Sequence, residues 1–252
     1  MEQPNLDQYR YFLKDSVRKT IDFSKTDQNQ GVPPPPLEKP HLGEQNVISL
    51  TSPSDLANVY TTTLESAISN RQSRRQFTGG SISLTELSFL LWATQGIRQY
   101  MDRGHALRTV PSAGARHALE TYLAVLRVDT VATGFYRFLP VSHSILAERI
   151  DSQAAQTTAR AAFNQNWMAR ASVIFIWATI PYRMEWRYGL AAHRAILLDA
   201  GHACQNLYLA CEAIGAGACA VAAYDQERMD QLLGLDGRDE FVIYTAAVGK
   251  SE

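Results

Sequence analysis

The strongest constraint on the fold is the segment of residues 190–214, which contains no proline and a single glycine, Gly201. Alanine and leucine are its commonest residues, and this composition predicts one long helix. Small and large side chains alternate along one face, which lets another helix approach closely. The face comprises Leu197, Gly201, Cys204, Tyr208 and Cys211. Such a helix could lie in a subunit interface.

Shorter helices and strands surround this segment. Ser83 and Glu86 have the spacing of a capping box, and leucines at helical spacing follow until Gly96, so this segment predicts a helix. The composition also predicts helices at residues 153–170 and 226–233, strands at 121–128, 172–179, 218–223 and 241–248, and a hairpin at 134–146. The elements lack a regular βαβ rhythm, so we expect an α+β fold.

The N-terminal region differs from the rest in composition. Residues 6–18 carry apolar side chains at helical spacing and predict a short amphipathic helix that docks on the body of the protein. Residues 24–46 are polar, and Pro33 to Pro36 favour an extended chain. We therefore divide the sequence into a helix and Pro-rich arm, residues 1–53, and one main domain, residues 54–252.

The charge balance limits the partners. Lys and Arg number 24 against 25 Asp and Glu, so the net charge of -1 gives no general attraction to nucleic acid or an anionic membrane. Cys204, Cys211 and Cys219 lie in an apolar stretch and are interpreted as core residues in a reducing compartment. No signal-like N-terminus, membrane-length apolar run or metal-binding His/Glu spacing occurs. We expect a cytoplasmic protein without a catalytic metal.

One basic segment is a candidate anion site. Arg71, Ser73 and Arg75 alternate, so an extended chain would present two guanidinium groups and a hydroxyl on one side. Guanidinium matches phosphate in a bidentate manner and stays charged at any working pH. The alternative is a solvated basic loop.

Two segments of small residues can approach a flat ligand through their backbone. The first is Pro111-Ser112-Ala113-Gly114, and the second is residues 215–223, which include Ala220, Val221 and Ala222. An ordinary turn explains the first equally well, and a tightly packed helix-to-strand connection explains the second.

These segments belong to a longer collinear pattern. It comprises Arg71-Gln-Ser-Arg-Arg-Gln-Phe77; Leu84-Thr-Glu-Leu with Leu90-Leu-Trp-Ala-Thr-Gln-Gly96; Arg108-Thr-Val-Pro-Ser-Ala-Gly114; Gly134-Phe-Tyr-Arg137; Ala200-Gly-His-Ala-Cys-Gln-Asn-Leu-Tyr208; Gly217-Ala-Cys-Ala-Val221; Leu232-Leu-Gly-Leu-Asp236; and Val248-Gly-Lys250. Through this pattern the chain resembles the SagB-type dehydrogenases of the nitroreductase-like FMN oxidoreductase superfamily.

The resemblance implies a three-layer nitroreductase-like fold, with a central mainly antiparallel sheet flanked by helices, in an intertwined homodimer with FMN at the interface. It implies phosphate and ribityl contacts from Arg71, Ser73 and Arg75, and a further contact from Lys250. The turn of Pro111, Ser112, Ala113 and Gly114 would approach the isoalloxazine from the partner subunit. The segment of Ala220, Val221 and Ala222 would present a backbone N–H to flavin N5.

Two positions depart from the resemblance. Where the family often carries a Lys-Tyr pair, this chain has Arg187-Tyr188. Because guanidinium is not deprotonated, Arg187 could stabilise an anion, and Tyr188 remains the candidate base; the alternative is packing aromatics. Arg116 and His117 replace apolar residues after the turn, and we expect them to contact substrate, with His117 able to shuttle a proton. A hydrogen-bonded surface histidine is the alternative.

The resulting hypothesis is an FMN-dependent oxidoreductase that exchanges hydride between flavin N5 and an organic substrate. In one version it converts an azoline to an azole in a modified peptide, with a cyclodehydratase partner. In another it reduces a nitroaromatic or quinone, with NAD(P)H as a transient reductant, because no dinucleotide-binding glycine motif is present. A non-catalytic flavin-binding protein is the hypothesis from a different class.

Overall fold

The computed structural model describes residues 5–41, 46–56, 62–102 and 104–251. The helices are α1 (Leu6–Leu13), α2 (Leu64–Asn70), α3 (Leu84–Gln95), α4 (Ala154–Ala161), α5 (Tyr182–Tyr188), α6 (Ala192–Ala213) and α7 (Gln226–Leu233). The strands are β1 (Val47–Ser49), β2 (Ile97–Asp102), β3 (His105–Arg108), β4 (Leu119–Val125), β5 (Gly134–Leu139), β6 (Ser144–Ile150), β7 (Val173–Thr179), β8 (Ala216–Val221) and β9 (Phe241–Lys250).

Seven strands form the central sheet in the order β1-β6-β5-β4-β7-β9-β8. Every neighbouring pair is antiparallel, and Phe175 of β7 lies opposite Leu123 of β4 on one side and Ala246 of β9 on the other. The expected α+β fold with a mainly antiparallel sheet is confirmed.

Side chains that alternate along the central strands build two hydrophobic cores. On one face of β7, Phe175 and Trp177 join a cluster that includes buried residues of α3 and α6. On the opposite face, Ile174 and Ile176 join a cluster with α4 and α7. Helices therefore cover both faces of the sheet, and the three-layer arrangement is confirmed.

The long helix is confirmed as α6, but its predicted face is not uniform. Leu197 is 47% exposed, and a side chain at Gly201 would meet open space. Cys204, Tyr208 and Cys211 on the same stripe are buried. The reason is that α2 and α3 pack beside α6, so only part of the stripe remains available to another molecule.

The β2–β3 hairpin was not predicted. Its strands pair in an antiparallel ladder with two irregularities, and from Arg98 to Asp102 the side chains of β2 are exposed. A strand with no buried face lacks the apolar alternation that marks a strand in a sequence. The segment therefore gave the pattern of a polar loop.

The N-terminal helix corrects another expectation. α1 ends at Leu13, and residues 15–20 form a separate 3₁₀ turn. Among the described residues α1 buries none of its own side chains, and Leu6 is 73% exposed. The predicted docking of this helix on the body is therefore wrong for the single chain.

The Pro-rich arm forms turns at residues 27–31, has no helix or strand at residues 32–41, and is tied to the body by hydrogen bonds. The extended geometry of Pro33 to Pro36 stays a prediction. Gln28 N donates to the Trp186 carbonyl at 2.9 Å, and Trp186 Nε1 donates to the Val32 carbonyl at 2.9 Å. The Arg137 guanidinium donates to the Lys39 carbonyl at 2.7 Å. β1 then joins the sheet beside β6. The boundary predicted after residue 53 therefore assigns this strand of the main sheet to the arm.

Through the described ranges, the helices lack the combination of length and apolar character that a membrane span requires.

Candidate functional site

The segment after α2 forms a groove along the end of the sheet. Ser73 bridges Ala218 of β8 in a parallel manner, and Arg74 N donates to the Ala218 carbonyl at 2.9 Å. Arg74 reaches Glu212 at 2.5 Å. The groove has a volume of about 720 Å³ and is lined by residues 72–78, Arg170 and Ser251. Ser73 and Arg75 line this groove together with Arg74, whereas Arg71 is not among its lining residues. The phosphate role of the alternating residues stays a prediction.

Tyr208 of α6 connects three of the predicted site residues. Its hydroxyl lies 2.9 Å from Ser73 Oγ and accepts a hydrogen bond from Ala220 N at 2.8 Å. The Arg71 guanidinium lies 5.3 Å from the centre of its ring, a cation–π distance. Tyr208 was part of a quoted motif but was not predicted as a site residue, because its partners are distant in the sequence.

The end of β8 carries the amide groups predicted to face flavin N5. The Ala220 amide already donates to Tyr208. Val221 is buried and pairs with Thr245, whereas Ala222 follows the strand end and is exposed. The assignment of an amide to N5 stays a prediction.

Lys250 is placed differently from Ser73. Its ammonium contacts Glu86 Oε1 at 2.5 Å and donates to the Ile214 carbonyl at 3.1 Å. These contacts join β9 to the start of α3 and the end of α6. Lys250 is therefore neutralised by a carboxylate in this structure, which does not support the phosphate contact predicted for it.

The turn of residues 111–114 lies against the end of α5. Gly114 has a φ of 59°, and a side chain there would come 2.6 Å from Tyr188 Oη and 2.9 Å from Arg187 Nε. Only glycine fits this position without displacing both residues. The structure therefore brings the predicted turn together with the predicted pair Arg187 and Tyr188.

Tyr188 and Arg187 also contact each other. The Arg187 guanidinium lies 5.4 Å from the centre of the Tyr188 ring. Arg187 therefore places a permanent positive charge beside the phenol.

Arg116 is buried beside this pair and does not reach the surface. Its Nη1 lies 2.7 Å from His105 Nε2, and His105 Nδ1 lies 2.7 Å from Asp102 Oδ1. Because guanidinium can only donate, His105 accepts at Nε2 and donates at Nδ1 to the carboxylate. Arg116 also stacks on Trp186 at 4.8 Å. Burial and the neighbouring Arg187 lower the pKa of Arg116.

His117 corrects a prediction. It is 6% exposed, and its Nε2 lies 3.1 Å from the Ala106 carbonyl. Burial, together with the charge of Arg108, lowers the pKa of His117 to about 3. The ring therefore stays neutral near neutral pH, and the predicted proton shuttle does not suit this environment. His117 N donates to Ser112 Oγ at 2.9 Å, which stabilises the turn.

Asp199 of α6 supports the same turn and was not predicted. Its Oδ1 accepts from Ala113 N at 3.3 Å. Its Oδ2 is buried and has no hydrogen-bond partner within the described chain. Burial raises the pKa of the Asp199 carboxyl, and the hydrogen bond from Ser112 acts in the opposite direction.

The site residues form two groups at different levels of α6. Tyr208 belongs to the groove, and Asp199 belongs to the turn, nine residues earlier in the helix. At the rise of an α-helix, the two are separated by about 14 Å along the axis. We call the first set the groove group, which comprises Arg71, Ser73, Arg75 and Tyr208. We call the second set the turn group, which comprises Ser112, Gly114, Arg187, Tyr188 and Asp199. The described residues contain no cluster of three or more His, Cys, Asp or Glu that could hold a metal ion.

Comparison with known proteins defines the class to which this fold and site belong. A solved structure from Anabaena variabilis, described as a nitroreductase, superposes with a TM-score of 0.66 at 24% identity. It covers 82% of this chain, and this chain spans 42% of that one. The chain is therefore an α+β protein of the nitroreductase-like class.

The family follows from the sequence. The profile of the Nitroreductase family matches residues 68–250. A protein of Methanocaldococcus jannaschii, named as a nitroreductase by inference, is 32% identical over 187 residues, which are 74% of this chain and 90% of the relative. The chain belongs to the Nitroreductase family and is an oxidoreductase.

Two more distant structures share the fold. The Escherichia coli microcin synthetase McbBCD complex with truncated pro-MccB17 contains a chain with a TM-score of 0.60 at 17% identity, and the match covers 100% of this chain and 99% of that one. The NADPH:FMN oxidoreductase from Vibrio harveyi, complexed with NAD+, gives a TM-score of 0.52. At 16% identity it covers 74% of this chain and 67% of that one.

Proposed function

We propose that the protein is an FMN-dependent oxidoreductase that exchanges hydride between flavin N5 and an organic substrate. The observation that carries this proposal is the groove group, in which the Ser73 hydroxyl and the Arg75 side chain line one open groove. The Vibrio harveyi neighbour is named as an FMN oxidoreductase, which supports the choice of flavin. When bound, FMN would supply the two-electron chemistry.

The residues of the groove group have the side chains that a flavin phosphate requires. Arg71 and Arg75 would neutralise its charge, and Ser73 would donate a hydrogen bond. Arg74 also lines the groove, but it is paired with Glu212, so we assign the phosphate contact to Arg71 and Arg75 instead. The small side chains of Ala220 and Ala222 leave the backbone at the end of β8 accessible to a flat ring.

A homodimer would complete the site. The groove group and the turn group lie at different levels of α6. Leu197 and Leu198 precede Asp199 at the level of the turn group and are 47% and 56% exposed. A two-fold contact along this face would bring the groove group of one subunit towards the turn group of its partner. FMN would then lie at the interface.

Tyr188 is our candidate for proton transfer to or from the substrate. Its hydroxyl faces the turn at Gly114, and Arg187 stays charged beside its ring. Arg187 would stabilise an anion formed in the reaction. His117 is left out of this role because its pKa is too low for proton transfer near neutral pH.

Two substrate classes remain candidates, and each has one observation in its favour. The full-length match to a chain of the microcin synthetase complex favours a SagB-type enzyme that dehydrogenates an azoline in a peptide supplied by a cyclodehydratase. The NADPH:FMN oxidoreductase neighbour favours reduction of a small acceptor with NAD(P)H as the transient reductant. A cyclodehydratase gene and a precursor-peptide gene beside this one would support the first.

The double variant Arg71→Ala/Ser73→Ala tests whether the groove group binds the flavin phosphate. It removes one guanidinium and one hydroxyl, and charge-assisted hydrogen bonds contribute about 1.5–3 kcal/mol each. We therefore expect FMN affinity to fall at least a hundredfold, measured by quenching of flavin fluorescence. Arg238→Ala is the control, because that side chain is 91% exposed in the loop before β9.

Unchanged FMN affinity in the double variant would refute the assignment of the groove. A loss of the same size in Arg238→Ala would attribute the effect to overall charge. Retention of flavin without turnover by the unaltered protein would instead favour a flavin-binding protein that is not an enzyme.

A further inference from the structure

Tyr208 carries an inference beyond the cofactor assignment, on which it rests. The residue is 9% exposed, and its hydroxyl lies between Ala220 N at 2.8 Å and Ser73 Oγ at 2.9 Å. These partners come from β8 and from the segment after α2. One phenol therefore connects the end of β8 to Ser73, the residue predicted to bind the phosphate.

The amide of Ala220 limits how the hydrogen atoms of this contact can be arranged. A backbone amide can only donate, so Tyr208 Oη accepts from Ala220. A phenol has one hydrogen of its own, and Ser73 Oγ is the neighbour within reach of it. When Tyr208 donates to Ser73, the hydrogen of Ser73 is free to point elsewhere.

In the described part of the chain, the Ser73 side chain is hydrogen-bonded to Tyr208. When Tyr208 is the donor, the hydrogen of Ser73 can reach an oxygen of a ligand in the groove that Ser73 lines. An anionic phosphate oxygen is a strong acceptor for such a hydroxyl.

We propose that Tyr208 is a positioning residue that directs the Ser73 hydroxyl towards the phosphate of the bound ligand. The chain of donors runs from the Ala220 amide through Tyr208 and Ser73 to the phosphate oxygen. The same ring lies 5.3 Å from the Arg71 guanidinium, so it also limits where that charge can lie. Phenylalanine would keep the ring and lose the chain of donors.

The test compares FMN with riboflavin, which lacks the phosphate. The variants are Tyr208→Phe, Ser73→Ala and the double variant, each titrated as apoprotein by flavin fluorescence. We expect Tyr208→Phe to bind FMN about 3- to 10-fold more weakly, the range of one net hydrogen bond. Riboflavin affinity should change less than twofold. The double variant should bind FMN no more weakly than Ser73→Ala, because Tyr208 acts through Ser73.

Tyr224→Phe is the matched control, because its hydroxyl donates to the Val242 carbonyl at 3.1 Å and Tyr224 does not line the groove. It should leave FMN affinity unchanged. Circular dichroism and thermal unfolding check that each variant is folded. If Tyr208→Phe does not fold, Tyr208→His replaces it, since an imidazole both accepts and donates. Its effect on FMN affinity should likewise vanish in the Ser73→Ala background.

Three results would overturn the proposal: full FMN affinity in Tyr208→Phe, a loss that adds to that of Ser73→Ala, or an equal loss for riboflavin. Any of these, in a protein that binds FMN, refutes the role of Tyr208 and leaves the proposed function standing. If the unaltered protein binds neither flavin, the proposed function fails and the role of Tyr208 fails with it.

Discussion

At the scale of single residues, the narrowest constraint is the contact between Gly114 and Tyr188. The positive φ of Gly114 strains any other residue there, and a Cβ at this position would come 2.6 Å from the Tyr188 hydroxyl. The phenol therefore lies directly against the turn, with Arg187 beside it. This position makes Tyr188 the candidate for proton transfer.

We predict that Tyr188→Phe keeps FMN bound and lowers kcat by about 10²-fold, the lower end of the contribution of general acid–base catalysis. Turnover is measured with NADPH and a quinone or nitroaromatic acceptor, and bound flavin is measured by absorption. Tyr182→Phe on the same helix is the control, because its hydroxyl donates to Asp27 at 2.6 Å outside the turn. Full activity of Tyr188→Phe would remove Tyr188 from the mechanism.

The sequence predicted single residues where a local pattern carried the signal. The alternation of Arg71, Ser73 and Arg75 is such a pattern, and Ser73 and Arg75 do line one groove, although their binding role stays a prediction. Tyr208 was missed because its bond to Ser73 joins residues 135 positions apart. Asp199 was missed for the same reason, since Ala113 is 86 positions away. His117 was expected to titrate because no local pattern reveals that it is buried beside Arg108.

At the scale of elements, the start of α3 joins local and long-range interactions. Ser83 Oγ accepts from Glu86 N at 3.1 Å, and Glu86 Oε2 accepts from Ser83 N at 2.7 Å. The other oxygen of Glu86 contacts Lys250 of β9. The capping box therefore fixes the helix and one end of the central sheet together.

Ser83→Ala should lower the free energy of unfolding by about 1 kcal/mol, the usual effect of removing an N-cap hydroxyl. Urea unfolding followed by circular dichroism measures it. Ser142→Ala, in the exposed turn between β5 and β6, is the control and should stay within about 0.5 kcal/mol of the unaltered protein. A Ser83→Ala variant as stable as that control would show that the capping box contributes nothing measurable.

Elements with strong local signals were predicted with nearly correct bounds. α7 spans the predicted residues 226–233, and α3 begins at its capping box. The β2–β3 hairpin was missed because it buries neither face of β2 beyond Ile97. The docking of α1 was wrong because periodicity shows that a helix has an apolar face, but not which surface covers it.

At the scale of the whole molecule, we propose that two copies of the chain complete one site. The groove group and the turn group are joined by α6 but separated along it. The exposed Leu197 and Leu198 precede Asp199 at the level of the turn group. A two-fold dimer along α6 would cover these leucines and bring the two groups together.

Leu198→Glu places a charge on this face and should convert the dimer to monomer, because a buried unpaired carboxylate is costly. Sedimentation velocity measures the change, and bound FMN should fall with it. Ile150→Glu is the control, because Ile150 is 60% exposed at the end of β6, away from α6. A Leu198→Glu variant that remains dimeric and yellow would place the interface elsewhere.

The central claim is that this member of the Nitroreductase family uses FMN to transfer two electrons. The most direct measurement is the absorption spectrum of the purified protein, followed by anaerobic titration with NADH and then NADPH. We expect the visible band of an oxidised flavin, held by the protein through gel filtration and bleached by one of the two nucleotides. A colourless protein that cannot be reconstituted with added FMN would contradict the account.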